Sequence, residues 1–431
     1  MAVVVAVIVL LTSVLSGLGL YTLTSRQTAI RQENLRAEAR EIAYLASLYS
    51  GGSSTYTLGT SLFSGSAQNT VALKHLRWKA AQVYDEYGAY IAIVDRSGQV
   101  MDNMAVTYEK NPDFAKTLNG KDIYEALLTI IGGDAFVGCS SLTSMTIPDS
   151  VTEIGANPFP RSGLQSITLS LDNPTFAVVD GALVRKADNT LLSYFCGRQD
   201  AAYTIPQGIL AIGDNAFAYV DSLQSITIPD SVTSIGHSAF LFCRGLTDVT
   251  IPDSVTSIGN SAFSDCSSLA TVTLPASISE ISDHLFFACD VLSSVNIPDS
   301  VTRIGESAFA SCDQLHTIDI PDSVTIIDHG AFQLSGITSV SIPNSVTTIG
   351  NGAFSYCDTL TDVTLPGSLT EIGYMTFAHS LSLTSITIPA SVAFIDNDAF
   401  KYHNSLTLTV TPDSYAEEYA KARKIDYTYP D

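Results

Sequence analysis

Along the second two thirds of the chain, apolar and polar positions alternate in short bursts that return at a fixed interval. Each burst has the form L-x-x-[IV]-x-[IL]-P, as in Leu223, Ile226, Ile228 and Pro229. Apolar residues two apart with polar ones between them have the period of a half-buried strand. The proline ends that strand, because it cannot donate to a ladder. Asp-Ser-Val then turns the chain, and Val232, Val255, Ile278, Val301, Val324, Val346, Leu369 and Val392 return inward. An Ile-Gly pair follows, as at Ile235-Gly236, and the glycine suits a bend of positive φ. Ala-Phe then predicts a short helical or 3₁₀ segment crossing the core. Its aromatic recurs at Phe217, Phe240, Phe263, Phe286, Phe309, Phe332, Phe354, Phe377 and Phe400, which predicts a continuous phenylalanine spine.

The prolines at 206, 229, 252, 275, 298, 321, 343, 366, 389 and 412 are 23 residues apart, with a single gap of 22. A period in this range predicts stacked coils, each burying its apolar face only against its neighbours. The expected fold is a mostly β solenoid of about 11–12 coils. Such a scaffold presents surface, so binding is expected before catalysis.

The first 125 residues follow another pattern. Met1–Ser25 carries no charge and exceeds the ~20 apolar residues that span a bilayer. No basic residue precedes this run and no small-residue cleavage site follows it closely, which favours an uncleaved transmembrane anchor over a signal peptide. Its orientation is open: Arg26, Arg31, Arg36 and Arg40 follow it, interleaved with Glu33, Glu38 and Glu41,. Gln27–Ser50 and Val71–Tyr87 are expected to be amphipathic helices, separated by a polar loop. The stretch AYIAIVDRSGQVMDNMAV reads as strand, turn, strand. The predicted organisation is therefore a transmembrane helix over 1–25, a small α/β membrane-proximal region over 26–125, a solenoid over 126–411 and a C-terminal cap over 412–431. Within the solenoid, about 164–204 interrupts the period.

Charge divides along the same boundary. Residues 1–125 hold 11 basic and 11 acidic residues, and the remainder holds 10 and 32, which accounts for the net charge of −22. An acidic solenoid repels phosphate backbones, so nucleic acid is not an expected partner.

Seven cysteines are present, six of them at one repeat position just before x-x-L. They lack the C-x-x-C spacing of a zinc site, and parallel side chains entering a core predict a ladder of buried thiols. The histidines are scattered, and no G-x-S-x-G, phosphate loop or H-E-x-x-H is present. The sequence therefore supports no catalytic residue, metal site or cofactor. The turn residues Asp230, Asp253, Asp299 and Asp322 are expected to serve turns.

Strand positions facing away from the core line the expected concave sheet. Those put forward as a ligand face are Asp248, Thr250, Thr271, Thr273, Asn296, Thr317, Asp319, Asp362 and Thr364. The face is mainly hydroxyl, without the Trp, Tyr or Arg of a protein hot spot. It reads either as a solvated ladder serving β-propensity or as a weak, multivalent recognition face.

The unit LxxIxIPxxVxxIGxxAFxxC resembles the BspA-like (Treponema pallidum type) leucine-rich repeat, over about residues 126–431. The interruption is similar to that family's insertion, in which an extra hairpin (AVVDGALVRKADNTLLSY) lies beside the solenoid. SYAEEYAKARKIDYTYP is similar to its closing segment, with a helix from about Tyr415 to Arg423. The resemblance implies a microbial surface or secreted interaction protein. Its expected partners are extracellular proteins or glycans of host or neighbouring cells, with the membrane contacted through the N-terminal helix. Residues 1–125, above all IVDRSGQVMDN, resemble the start of bacterial membrane sensor histidine kinases. That likeness implies the alternative of an extracellular ligand-sensing receptor fragment without kinase output; a simple membrane-proximal stalk is the other reading.

Overall fold

The computed structural model describes residues 130–431 apart from positions 134, 150, 171, 172, 404 and 431, together with three strands upstream. The chain forms two compact units, Met1–Gly181 and Ala182–Asp431.

In the first unit, β1 (Ala6–Leu11), β2 (Ala89–Val94) and β3 (Val100–Asp102) form one antiparallel sheet. β2 and β3 are the strands expected from AYIAIV and QVMDN. β1 corrects an expectation: six residues assigned to a transmembrane helix pair as a strand, Ala6 with Val94 through Leu11 with Ala89. A short apolar run rich in β-branched residues fits either conformation, and periodicity cannot separate the two. Among the described residues no helix is long and apolar enough to cross a membrane. The rest of residues 1–25 and the helices expected over Gln27–Ser50 and Val71–Tyr87 lie outside the described residues. The same unit contains the first coils, where Ser144–Thr146 pairs in parallel with Ser166–Thr168 and Ile130–Ile131 with Glu153–Ile154.

In the second unit the coils build two parallel strips, to both of which most of them contribute. The wide strip carries the three-residue strands expected from the alternation, such as Asp248–Thr250 paired with Thr271–Thr273. Its central residue is buried and its flanking residues are exposed. A narrow strip of two-residue strands was not anticipated. It uses the Ile of the Ile-Gly pair, as in Ser234–Ile235 paired with Ser257–Ile258.

The Ala-Phe segment forms a run of turns, where a helical or 3₁₀ segment was expected. Its N–H groups are shared between two partners. Leu241 and Cys243 donate three residues back, to Ser238 and Phe240, whereas Ser238, Phe240 and Phe242 donate to Asn260, Ala262 and Ser264 of the next coil. Helix formation would direct all of them within the segment. Left-handed residues enforce the alternation, and in this coil they are Ser238 (φ 53°) and Phe242 (φ 58°).

The repeat glycines have a different role from the one expected. Gly236, Gly259 and Gly305 are not among the residues of positive φ. They permit close approach instead: a Cβ on Gly259 would lie 2.5 Å from the backbone nitrogen of His237 in the preceding coil. Left-handed backbone falls largely on other residues, among them Ser238, Phe242, Ala288 and Leu334, where composition gives no signal.

The phenylalanine spine is present. From Phe217 to Phe400 the rings are buried and stacked, with centroids 5.0–6.0 Å apart. Small side chains join the coils outside it. Ser254, Ser300, Ser323 and Ser368 donate to carbonyls one coil back at 2.6–2.7 Å.

The insertion forms the expected hairpin, with Ala182–Arg185 antiparallel to Thr190–Tyr194. It is part of the ladder, because Thr190–Leu191 also pairs in parallel with Ala211–Ile212. At the other end, α1 (Tyr415–Arg423) occupies the expected residues and is followed by Asp426–Thr428, paired in parallel with Thr407–Thr409. Ser414 caps α1 by accepting from Glu417 N–H. Tyr419 is buried against Phe400, their ring centroids 6.3 Å apart.

Candidate interaction surfaces

The nine wide-strip positions singled out in the sequence are all exposed. They do not form one face. Asp248, Thr250, Thr271 and Thr273 lie together on two hydrogen-bonded strands. Asp362 and Thr364 belong to a separate pair with Ser339–Ser341. Between them the ladder opens. Asn296 turns its side-chain amide to the backbone of Leu274, accepting from its N–H at 3.0 Å and donating to its carbonyl at 3.4 Å. This replaces the strand bond that Thr273 makes to Ile251 one coil earlier. Thr317 and Asp319 follow in a coil that forms no wide-strip strand. Asn296 therefore holds the ladder edge together, and a ligand would have to compete for its amide.

Opposite the opening, the narrow strip is reinforced. Arg303 contacts Glu280 at 3.1 Å and Asp283 at 2.6 Å in the preceding coil, and Asp328 at 2.8 Å in the following one. These carboxylates hold the guanidinium charged, its pKa raised above the ordinary arginine value even against the cost of burial. Turn aspartates act likewise between coils, as where Asp253 accepts from Ala276 N–H at 2.8 Å.

All the cysteines except the half-buried Cys196 are buried. The thiols of Cys243, Cys266, Cys289, Cys312 and Cys357 lie 3.0–3.2 Å from the carbonyl oxygens of Phe217, Phe240, Phe263, Phe286 and Phe332. Burial pushes Cys266 up to about 12 and Cys357 up to about 11, so the thiols stay protonated and unreactive,. Further along the same ladder, Ser380 donates to Phe354 at 2.7 Å and His403 Nε2 meets Phe377 at 2.7 Å. In these seven coils the position supplies a polar contact to that carbonyl, and sulfur is one way to make it.

Two features on the turn side were missed from sequence. The first is an aromatic ridge built on the left-handed positions of successive coils. Tyr356 stacks on His379 at 4.2 Å and His379 on Tyr402 at 4.0 Å. Tyr402 is 53% exposed, and Leu334, one coil before Tyr356, is 50% exposed. The repeat period could have revealed this ridge, because Leu334, Tyr356, His379 and Tyr402 share one repeat position. The second is a cleft of about 280 Å³ where the last coil meets α1, lined by Lys401, His403, Tyr419, Arg423, Lys424 and Asp426, among others. Lys401 belongs to both features, its ammonium 5.2 Å from the centre of the Tyr402 ring.

With this geometry established, three comparisons bear on the chain. A family model described as BspA type leucine rich repeat region matches in six copies, over residues 113–177, 193–303 and 281–407. The gap at 178–192 falls within the hairpin insertion. Among solved structures, a leucine-rich repeat protein from Eubacterium ventriosum is 25% identical, with 63% of this chain and 62% of that one covered and a TM-score of 0.39. A leucine-rich cell surface protein from Faecalibacterium prausnitzii is 25% identical over 71% of this chain and 84% of its own, with a TM-score of 0.36. The pneumococcal vaccine antigen PcpA is 18% identical over 67% and 80%, with a TM-score of 0.47. No curated protein matches the chain.

Proposed function

Because the chain belongs to the BspA type leucine-rich repeat family, whose copies span more than half of its residues, we propose that it is a non-catalytic cell-surface scaffold. Its role is to bind macromolecules of host or neighbouring cells, proteins first, and so to mediate adhesion. The observation that supports this most is the stacked ridge of Tyr356, His379 and Tyr402, half-buried at Tyr356 and His379 and exposed at Tyr402. Aromatic side chains held rigid by stacking supply contact area at little entropic cost, and tyrosine is enriched in protein hot spots. The hydroxyl-rich wide strip lacks such anchors and adds at most shallow, repeated contacts. Placement outside the cell is part of this proposal, and the means of attachment to the membrane is left to the N-terminal segment.

The test compares whole cells displaying the full chain with cells displaying Tyr356→Ala/Tyr402→Ala on a panel of immobilised matrix and cell-surface proteins. Retention by at least one protein is expected, reduced about tenfold by the double substitution, a loss of about 1.4 kcal/mol. Retention that is equal for both displays, or absent throughout the panel, overturns the proposal. The sensor alternative has no structural observation in its favour beyond the β2–β3 pair.

A further inference from the structure

The acidic balance of the repeats hides a local reversal at their C-terminal end. Between Arg303 and Lys401 the chain has no lysine or arginine; Lys401, Lys421, Arg423 and Lys424 then follow within 24 positions. Basic residues at a helix C-terminus answer the helix dipole, and that accounts for Lys421, which pairs with Glu417, and for Arg423 in the same turn. It does not account for their convergence with basic residues of the last coil. Lys401 and His403 come from the last coil and Arg423 and Lys424 from the end of α1, and all four line the same cleft. Lys401 has one carboxylate partner, Asp398 at 3.3 Å on the outside. Arg423 and Lys424 form no ion pair among the described residues. Nε2 of His403 contacts the carbonyl of Phe377 at 2.7 Å, which anchors the ring at the edge of the coil.

We propose that this cleft is a binding site for an acidic sugar, a ring bearing a carboxylate. The cations would hold the carboxylate, as opposed charges in a partly enclosed cleft do more strongly than in open water. Asp426 and Asn397 also line it. They would accept from and donate to hydroxyl groups, which a bare inorganic anion lacks. The volume of about 280 Å³ suits one ring and falls at the small end of ligand sites,. The surrounding negative charge disfavours a dense polyanion, so the ligand is a single acidic unit or a chain with widely spaced charges. This site shares Lys401 with the aromatic ridge and does not depend on adhesion.

The test is calorimetric titration of the full chain with methyl glucuronide, methyl glucoside and inorganic sulfate. The glucuronide is expected to bind about tenfold or more tightly than either of the others, a difference of about 1.4 kcal/mol. Added salt should weaken its binding. Lys401→Met and Arg423→Gln, both at exposed positions, should each reduce it about tenfold with no change in thermal midpoint. Equal binding of the glucoside removes the role of the charge. Sulfate binding as tightly as the glucuronide removes the sugar, and no binding, or binding unchanged in the folded variants, removes the site.

Discussion

The thiol of Cys266 lies 3.2 Å from the carbonyl oxygen of Phe240, one coil back. Serine at 380 and histidine at 403 make the same contact, so the bond matters more than the atom that donates it. Cys289→Ser should therefore unfold close to the parent protein. Cys289→Ala should lose about 1 kcal/mol, because the Phe263 carbonyl is then buried without a donor. Thermal midpoints of the two variants check this, and equal loss in both would remove the argument. In the native protein at pH 8 an aromatic disulfide reagent should label no more than Cys196, with the buried thiols reacting only after unfolding.

Ser345 occupies the serine rung of its coil, yet its hydroxyl oxygen is buried with no hydrogen-bond partner. The rung before it, Ser323, donates to Val301 at 2.7 Å. Ser345→Ala should consequently be neutral or slightly stabilising, whereas Ser300→Ala, which breaks a 2.6 Å bond to Ile278, should cost about 1 kcal/mol. Urea midpoints compared side by side decide between this contrast and a uniform effect.

Arg303 joins three coils where the wide strip is open. Removing it leaves three carboxylates facing one another across the coils. Arg303→Ala should lower stability by about 1 kcal/mol in dilute buffer, with the difference shrinking as salt screens the charges. Arg303→Lys should not restore it, since a single ammonium cannot span the three partners. A loss that is the same at low and high salt would point to packing and exclude the ion network.

Glu417 accepts from Lys421, from the hydroxyl of Tyr429 at 2.8 Å and from Asp413 N–H at 2.7 Å. These bonds, that of Lys421 foremost, hold its carboxyl at about 2, below the ordinary 4.5. A carboxyl with a lower pKa in the folded state contributes stability above its unfolded pKa and loses it as pH falls through the folded value. The gap in thermal midpoint between the parent and Glu417→Gln should be widest above pH 4.5 and close as pH falls towards 2. A gap independent of pH would show that the charge is not involved.

The coil was legible because its signals repeat. Ten prolines and nine phenylalanines at matched spacing mark the strand and the core aromatic of the repeat, and α1 was expected from the resemblance of SYAEEYAKARKIDYTYP to the family's closing segment. The narrow strip was not, because two-residue strands leave no alternation to count. The left-handed turns were missed because Ser238 and Phe242 are not residues from which positive φ is inferred. The wide-strip candidates are all exposed, but the strip is interrupted at Asn296, where an amide takes over a backbone bond that no period records. The basic cleft was hidden by averaging, as a summed charge of the repeats obscures four cations gathered at one end.

In the second unit, the bonds from Ser238, Phe240 and Phe242 to the next coil run from turn to turn, and the two strips add parallel rungs. Tension applied between the ends of that unit therefore loads the rungs of one junction at a time, as a zip is opened, and does not shear them together. Each coil released should lengthen the chain by roughly 75 Å. An optical-trap trace should show steps of that size, beginning at the Asn296–Asp319 opening, where backbone rungs are fewest. In the adhesive role proposed for the chain, such stepwise release would limit the peak load on each contact and let neighbouring copies share it.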